Sequence, residues 1–297
     1  MKSISRHLAL GLLIVLLAIP GADLVSGQTA KSSVPSVVRT RSFEQGEELV
    51  YIAELSRSLL RKIDVAEFRF TSHKEVLAEK GIPDNTRAAY SLKLTGDVTS
   101  RGFFTRLFNL HFRERIESIV DPASFSVQKT KRLDEHGKRI RISEAVYDHA
   151  KGTVSWTERD PNNPNSEPRV VSNSFIGRIQ DVLSAIYYLR THPLEVGKTF
   201  EVTISNSGRV YQVPVHVVEK RRMKTVLGRV ETFQVDPQVF GDDRLIRGKG
   251  QFSIWLVNDS KRIPAKARIK TEYGTFDIKL KKVIHNQTLA ANTSNLP

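Results

Sequence analysis

A Gly-Lys-Thr tripeptide at residues 197–199 is the first place where this sequence could bind a phosphate, because loops that cradle nucleotide phosphates end in these residues. Such a loop also has a glycine five residues before Gly197, where the backbone must approach the phosphates closely. His192 stands there instead, and the flanking residues do not predict a strand followed by a helix. We therefore predict that Gly197 lies in a turn before the next strand.

The sequence also has no cluster of residues that could coordinate a metal or perform acid–base catalysis. The histidines after residue 27 are scattered, without a His-x-His or His-Glu-x-x-His spacing. The adjacent carboxylates Asp242-Asp243 would point to opposite faces of a strand, and beside Gly241 a solvated turn is expected. The chain has no cysteine and no Gly-x-Ser-x-Gly elbow, so thiol and serine nucleophiles have no support. We predict a protein that is not an enzyme and holds no metal or cofactor.

The first 27 residues have the pattern of a secretory signal peptide. A basic start with Lys2 and Arg6 precedes an apolar run over residues 8–19. The run is shorter than the roughly 20 residues of a membrane span, so we expect cleavage after Gly27, with an uncleaved anchor as the alternative. Without cysteine the chain cannot be a lipoprotein. These features predict a periplasmic or secreted protein of the bacterial envelope.

The remaining sequence predicts a flexible linker over 28–42, a single β-rich domain over 43–284 and a disordered tail over 285–297. Strand-like alternation is clear where Tyr90, Leu92 and Leu94 share one face. Turn residues, such as those at 134–137 and 160–165, separate the short β-prone runs. Roughly a dozen strands at regular spacing predict a mainly β fold, as a strongly curved antiparallel sheet or an open or closed β-barrel.

One segment predicts an amphipathic helix instead. From Asp181 to Arg190 the apolar residues recur at intervals of three and four. Asp181 stands where its side chain would cap the first turn, and Pro193 ends the helix soon after Arg190. Arg190 is expected to complement the negative end of the helix dipole.

Besides this helix, motifs follow in order at Phe43, Gly46-Glu47, Tyr51, Gly102-Phe103-Phe104, Tyr147-Asp148, Leu194, Gly197, Val235-Asp236-Pro237, Ile254-Trp255-Leu256, Asp259 and Arg262-Ile263-Pro264. In this order they resemble an exported bacterial family catalogued as domain of unknown function 3108. The resemblance runs from Phe43 to Val283, and the helix and the strand around Trp255 are its most specific parts. It implies an envelope β-protein and supplies no established activity.

The candidate residues for contacting a ligand or a surface are Phe103, Phe104, Phe108, Tyr187, Trp255, Lys266, Arg268 and Lys270. The phenylalanines would line a cavity mouth or, as the alternative, pack in the core. Trp255 would be a platform for a ligand or, as the alternative, pack in the core or at its rim. The three cations share one face of a strand whose other face is apolar, which predicts an apolar concave side and a cationic outer side of the sheet.

A net charge of +14 predicts attraction to anionic lipid or lipopolysaccharide, and export makes nucleic acid an unexpected partner. A curved amphipathic sheet with one helix is suited to hold a lipid or other apolar ligand, and its cationic side to make peripheral membrane contact. The leading hypothesis is thus an exported binding module. An interaction or scaffold protein of cell-envelope assembly is the alternative, and a hydrolase of an envelope polymer is the third.

Overall fold

The computed structural model describes residue 43 and residues 46–58, 60–76, 90–102 and 111–285. Within these residues the chain forms fourteen β-strands and one α-helix. The strands are β1 (Glu47–Arg57), β2 (Leu60–Val76), β3 (Tyr90–Ser100), β4 (Phe112–Asp121), β5 (Ser126–His136), β6 (Arg139–Asp148), β7 (Thr153–Arg159), β8 (Arg169–Ser174), β9 (Thr199–Asn206), β10 (Arg209–Thr225), β11 (Gly228–Pro237), β12 (Gly250–Val257), β13 (Pro264–Thr271) and β14 (Gly274–His285). The helix, α1, is Val182–Thr191.

The described strands belong to one antiparallel sheet. The strands β1 to β8 follow one another as a meander, β9 to β14 form a second meander, and the pairing of β1 with β14 joins the two. The edge strands are β8 and β9, so the hydrogen-bonded sheet is open.

The two edges of the sheet come together, which requires the sheet to curve round on itself. The side-chain amide of Asn173 in β8 donates to the carbonyl oxygen of Gly208, between β9 and β10, at 2.8 Å. Next to this contact, the segment that leads into α1 pairs in parallel with β9 through Gln180 N–Thr203 O at 2.9 Å and Ser205 N–Gln180 O at 2.7 Å. The predicted curved antiparallel sheet with one helix is confirmed, in its open form.

Alternation of side chains gives the sheet an apolar concave face. In β10, for example, Val213, Val215 and Val217 are buried, whereas His216 and Val218 between and after them are exposed. Burial of one face in this way fixes the register of each strand, because a slip by one residue would turn its apolar side chains to water. The concave face then needs a second layer to cover it.

The helix α1 lies inside the curve and provides that layer. Ala185 and Leu189 join a core cluster with residues of β9 to β12. Leu183 and Tyr187 join a second cluster with residues of β3 and β4. Since α1 is apolar on both of these sides, it packs between two walls of the sheet, as expected for a helix that is hydrophobic almost all round.

The start of α1 is fixed by a reciprocal cap. Backbone Ser184 N donates to Asp181 Oδ1 at 2.7 Å, and backbone Asp181 N donates to Ser184 Oγ at 2.9 Å. These bonds satisfy amide groups that the first turn of a helix leaves without partners. The predicted helix and the predicted cap at Asp181 are both confirmed.

Several sequence predictions fall at the ends of the chain. The predicted signal peptide and linker, residues 1–42, lie outside the described residues, as do residues 286–297 of the predicted tail, while His285 ends β14. In the part of the chain that the structure describes, no helix combines the length and the apolar character needed to cross a bilayer.

Candidate ligand-binding cavity

A cavity of about 140 Å³ lies between α1 and the concave face of the sheet. Val182, Ile186 and Leu189 form its helical side. The facing walls come from both meanders and include Tyr51, Phe70, Val98, Val213, Ile254 and Ala267. Val182 and Ile186 are only half-buried, which places this side of the lining within reach of solvent. An engineered apolar cavity of about 150 Å³ in another protein stays dry and binds benzene, so a hydrocarbon group fits a space of this size and chemistry.

Tyr51 is the one residue of the described lining with a polar side chain. Its hydroxyl is buried and has no hydrogen-bond partner within the described residues. Burial raises the pKa of the Tyr51 hydroxyl well above its usual value, although the nearby charge of Arg190 acts in the opposite direction. The hydroxyl therefore stays protonated and remains a hydrogen-bond donor.

Near Tyr51, a buried ion pair fixes the end of α1 to the start of β1. Arg190 Nη1 donates to Glu47 Oε1 at 2.6 Å, and Nη2 donates to Oε2 at 2.9 Å. The guanidinium also lies 4.7 Å from the centre of the Phe43 ring, and its Nε donates to the carbonyl of Lys261 at 3.1 Å. Two charges buried this deeply stay ionised only when they pair with each other and their remaining hydrogen-bonding groups also have partners. The pair thus sets the position of α1 over the cavity.

The predicted role of Arg190 at the helix dipole does not include its ion pair with Glu47. The two residues are 143 positions apart, so no local pattern connects them. One signal was available, because Glu47 occupies the same inward face of β1 as the buried residues Leu49 and Tyr51. A carboxylate in an otherwise apolar inward series calls for a buried cation.

A sequence model of the family described as protein of unknown function (DUF3108) matches residues 66–281. The chain belongs to this family. The resemblance predicted from the motifs is therefore confirmed, and the matched residues contain α1 and all strands from β3 to β13.

The backbone of one solved structure is similar to that of this DUF3108 chain. That structure is the crystal structure of a beta-barrel-like protein of domain of unknown function DUF1849 from Brucella abortus, with 10% sequence identity and a TM-score of 0.47. The similarity covers 82% of this chain and 98% of that chain. No curated protein matches the sequence.

The two described aromatic candidates of this DUF3108 chain, Tyr187 and Trp255, lie on different sides of the sheet. Phe103, Phe104 and Phe108 lie outside the described residues, so their place at a cavity mouth stays a prediction. Tyr187 is 1% exposed, packs with its ring 5.2 Å from that of Phe43, and does not belong to the described lining. Trp255 lies on the convex face, because its neighbours along β12 belong to the concave core.

The basic candidates share the convex face of β13, but most of their charge is paired. Asp277 of β14 accepts from Lys266 Nζ at 2.9 Å and from Arg268 Nε at 2.7 Å. Lysines of β14 pair in the same way with Glu54 of β1. Lys270 has no ion pair with a described residue. Asp277 is absent from the predicted basic face, although its spacing of two from Lys279 places both on one face of β14.

A separate polar cluster occupies the interior beside β4, β5 and β6. Arg132 Nε lies 2.6 Å from Glu114 Oε1, and Arg139 Nη1 lies 2.9 Å from Asp134 Oδ2. Burial raises the pKa of Glu114 to about 7, with Asp134 adding to the shift and Arg132 opposing it. Burial thus favours the protonated form of Glu114. Among the described residues, however, no three His, Asp or Glu side chains converge as metal ligands would.

Proposed function

We propose that this DUF3108 protein is an exported envelope protein that binds a lipid through its hydrocarbon chain. The observation that supports the proposal is the cavity between α1 and the sheet, with its apolar lining. Moving one methylene group from water into an apolar environment is worth about 0.8 kcal/mol. A chain segment of a few methylene groups would therefore prefer this cavity to water.

Tyr51 narrows the chemistry of the proposed ligand. Its buried hydroxyl has no partner within the described residues and remains a donor. The hydroxyl has almost no accessible surface, so a ligand meets it only when a neighbouring side chain moves. A ligand that does so needs an acceptor next to its hydrocarbon chain, such as the ester oxygen of an acyl chain or the protonated carboxyl of a fatty acid. An acyl ester or a fatty acid is the ligand class that we propose on this ground.

The proposed location rests on the first 27 residues. Their basic start and short apolar run favour export, and acyl chains of envelope lipids would be the ligands at hand. The function proposed for the cavity does not depend on whether the exported protein is periplasmic or secreted.

Titration of the purified protein with cis-parinaric acid, a fluorescent fatty acid, tests the proposal. We expect saturable binding of one molecule per chain. Ile186→Trp should weaken this binding at least tenfold, because Ile186 lines the cavity and a larger side chain would occupy it. Ile176→Trp is the matched control, since Ile176 is 73% exposed and lies outside the lining.

A second substitution that fills the cavity, this time from the sheet, tests whether weaker binding results only from a change in α1. Ala267 lines the cavity from β13, on the wall that faces the helix, and Ala267→Phe should weaken binding in the same way. The proposal would be wrong if the probe does not saturate, or if both filled variants bind it as well as the control does.

A further inference from the structure

The convex face of the second meander carries a polar pocket of about 150 Å³. Strand register brings its lining side chains together in facing pairs, which are Gln251 with Lys270, Ser253 with Arg268, and Gln234 with Trp255. The alternate residues of the same strands, such as Ile254 and Phe233, belong to the concave core. The sheet therefore separates this convex pocket from the apolar cavity.

Three cationic side chains lie around the indole ring of Trp255 at this pocket. The side chain is 3% exposed although it lies on the outer face. Arg221 Cζ, Lys266 Nζ and Arg268 Cζ lie 4.8, 5.3 and 6.0 Å from the centre of its indole ring. Cations over an indole are attracted by the negative charge of the ring face. The ring thus holds several cations around one point of the convex face.

The indole nitrogen adds a donor that has no acceptor. Nε1 of Trp255 is buried and lacks a hydrogen-bond partner within the described residues. An indole N–H can only donate. In native proteins a buried polar group without a protein partner usually meets a water or an ion.

Two cationic side chains of the pocket keep donors, whereas its glutamines donate to a neighbouring carboxylate. Asp236 accepts from Gln234 Nε2 at 3.0 Å and from Gln251 Nε2 at 3.2 Å, which orients both amides. Arg221 has one distant carboxylate, that of Glu219 at 3.6 Å, and Lys270 has none among the described residues. Arginine and lysine side chains cannot accept a hydrogen bond. Arg221 and Lys270 therefore offer positive charge that is largely unpaired among the described residues to a ligand that accepts hydrogen bonds and carries negative charge.

We propose that the convex pocket binds a phosphate group. A phosphate offers several acceptor oxygens to the guanidinium of Arg221 and the ammonium of Lys270, which both line the pocket, and charge-assisted bonds of this kind are the stronger ones. The phosphate can come from a phospholipid headgroup or from free phosphate, which share this chemistry. The inference is independent of the apolar cavity, because the two lie on opposite faces of the sheet.

The indole N–H resonance of Trp255 in a ¹⁵N–¹H spectrum of the full protein reports on the pocket directly, and its loss in Trp255→Phe assigns it. We expect a saturable shift on titration with inorganic phosphate or with a short-chain phosphatidylglycerol. Lys270→Met and Arg221→Met should each weaken this binding at least tenfold. Lys131→Met is the matched control, because it removes an exposed cation of β5 far from the pocket.

The pattern of responses identifies the source of the phosphate. A shift with inorganic phosphate supports a site for the free ion, and a shift with phosphatidylglycerol alone supports a headgroup site. A Trp255 resonance that moves with neither ligand overturns the proposal. Equal weakening by Lys131→Met and Lys270→Met overturns it as well, since that result indicates general attraction of an anion to a basic protein.

Discussion

Arg190, near the end of α1, and Glu47, at the start of β1, form a bidentate ion pair whose side chains are 1% and 0% exposed. The pair connects the first strand of the sheet with the helix that covers its concave face. Because the cavity lies between these layers, the pair contributes to the space in which we propose that a ligand binds.

Removal of one partner of this pair should be costly. Glu47→Gln leaves the Arg190 guanidinium buried without a counter-ion, and we expect the free energy of unfolding to fall by about 3–5 kcal/mol. Urea denaturation measures this change. The control is Lys129→Met, which breaks a pair with Glu144 whose side chains are 39% and 42% exposed. That substitution should cost less than about 1 kcal/mol, and equal losses in the two variants would contradict a structural role for the buried pair.

The helix cap gives a second prediction. Asp181 accepts from backbone Ser184 N and, at 2.5 Å, from the hydroxyl of Thr130. Asp181→Ala should therefore lower the free energy of unfolding by about 1–2 kcal/mol, as measured by urea denaturation. Asp181→Asn keeps a capping oxygen and should cost less. If Asn is as damaging as Ala at this position, charge and not capping explains the loss.

The contact between the sheet edges gives a third prediction. Gly208 has a φ of +76°, and an added Cβ would lie 2.8 Å from Val171 O and 2.9 Å from Trp156 Cβ. Gly228, in the next hairpin, has a φ of +91° and nothing within 4 Å of such a Cβ. Alanine strains the backbone at both positions, so Gly208→Ala should be less stable than Gly228→Ala by about 1–3 kcal/mol, the cost of overpacking.

Thermal unfolding of these two glycine variants is a direct comparison. A lower midpoint for Gly208→Ala would support a sheet whose edges meet at β8. Identical midpoints would mean that the two edges separate without cost.

Glu114 gives a prediction about pH. Its pKa is about 7 in the folded protein and 4.5 in its ordinary state, because burial disfavours the carboxylate. Between these values the folded chain keeps a proton that the unfolded chain has released, so the contribution of Glu114 to stability is present below pH 4.5 and is lost as pH rises to about 7. The loss is about 3 kcal/mol at 1.36 kcal/mol per pKa unit.

Comparison with Glu114→Gln isolates this contribution. Burial also lowers the pKa of His192 to about 4, which has the opposite effect on stability between pH 4 and 6.5, but His192 is present in both proteins. Urea denaturation at several pH values should give a difference between wild type and variant that changes by this amount from pH 4.5 to 7. A constant difference would mean that Glu114 does not take up a proton on folding.

Local patterns were sufficient to predict the helix and most strands of this fold, but not β7 and β8. The spacing of apolar residues and the capping residue predict the helix from Asp181 to Arg190. Both signals depend on residues within one or two helical turns. Alternation in strands such as β3 depends on neighbours two positions apart. The antiparallel hairpins follow from such strands, whereas the pairing of β1 with β14 and the open edges at β8 and β9 do not, and the prediction left an open or a closed form undecided.

Contacts across the sheet could not be predicted in the same way. The partner of Arg190 depends on where α1 crosses the first strand, and the pairing of Lys266 and Arg268 with Asp277 depends on the register of β13 and β14. The cavity is even harder to predict from the sequence. Its volume is the small difference between the volume inside the sheet and the volume of the side chains that fill it.

Native mass spectrometry of the exported protein, before and after extraction with organic solvent, tests the proposed lipid binding most directly. We predict one acyl-containing molecule per chain before extraction, its loss on extraction, and its return when envelope lipids are added. A mass equal to that of the chain alone, unchanged after lipid addition, would contradict the proposal.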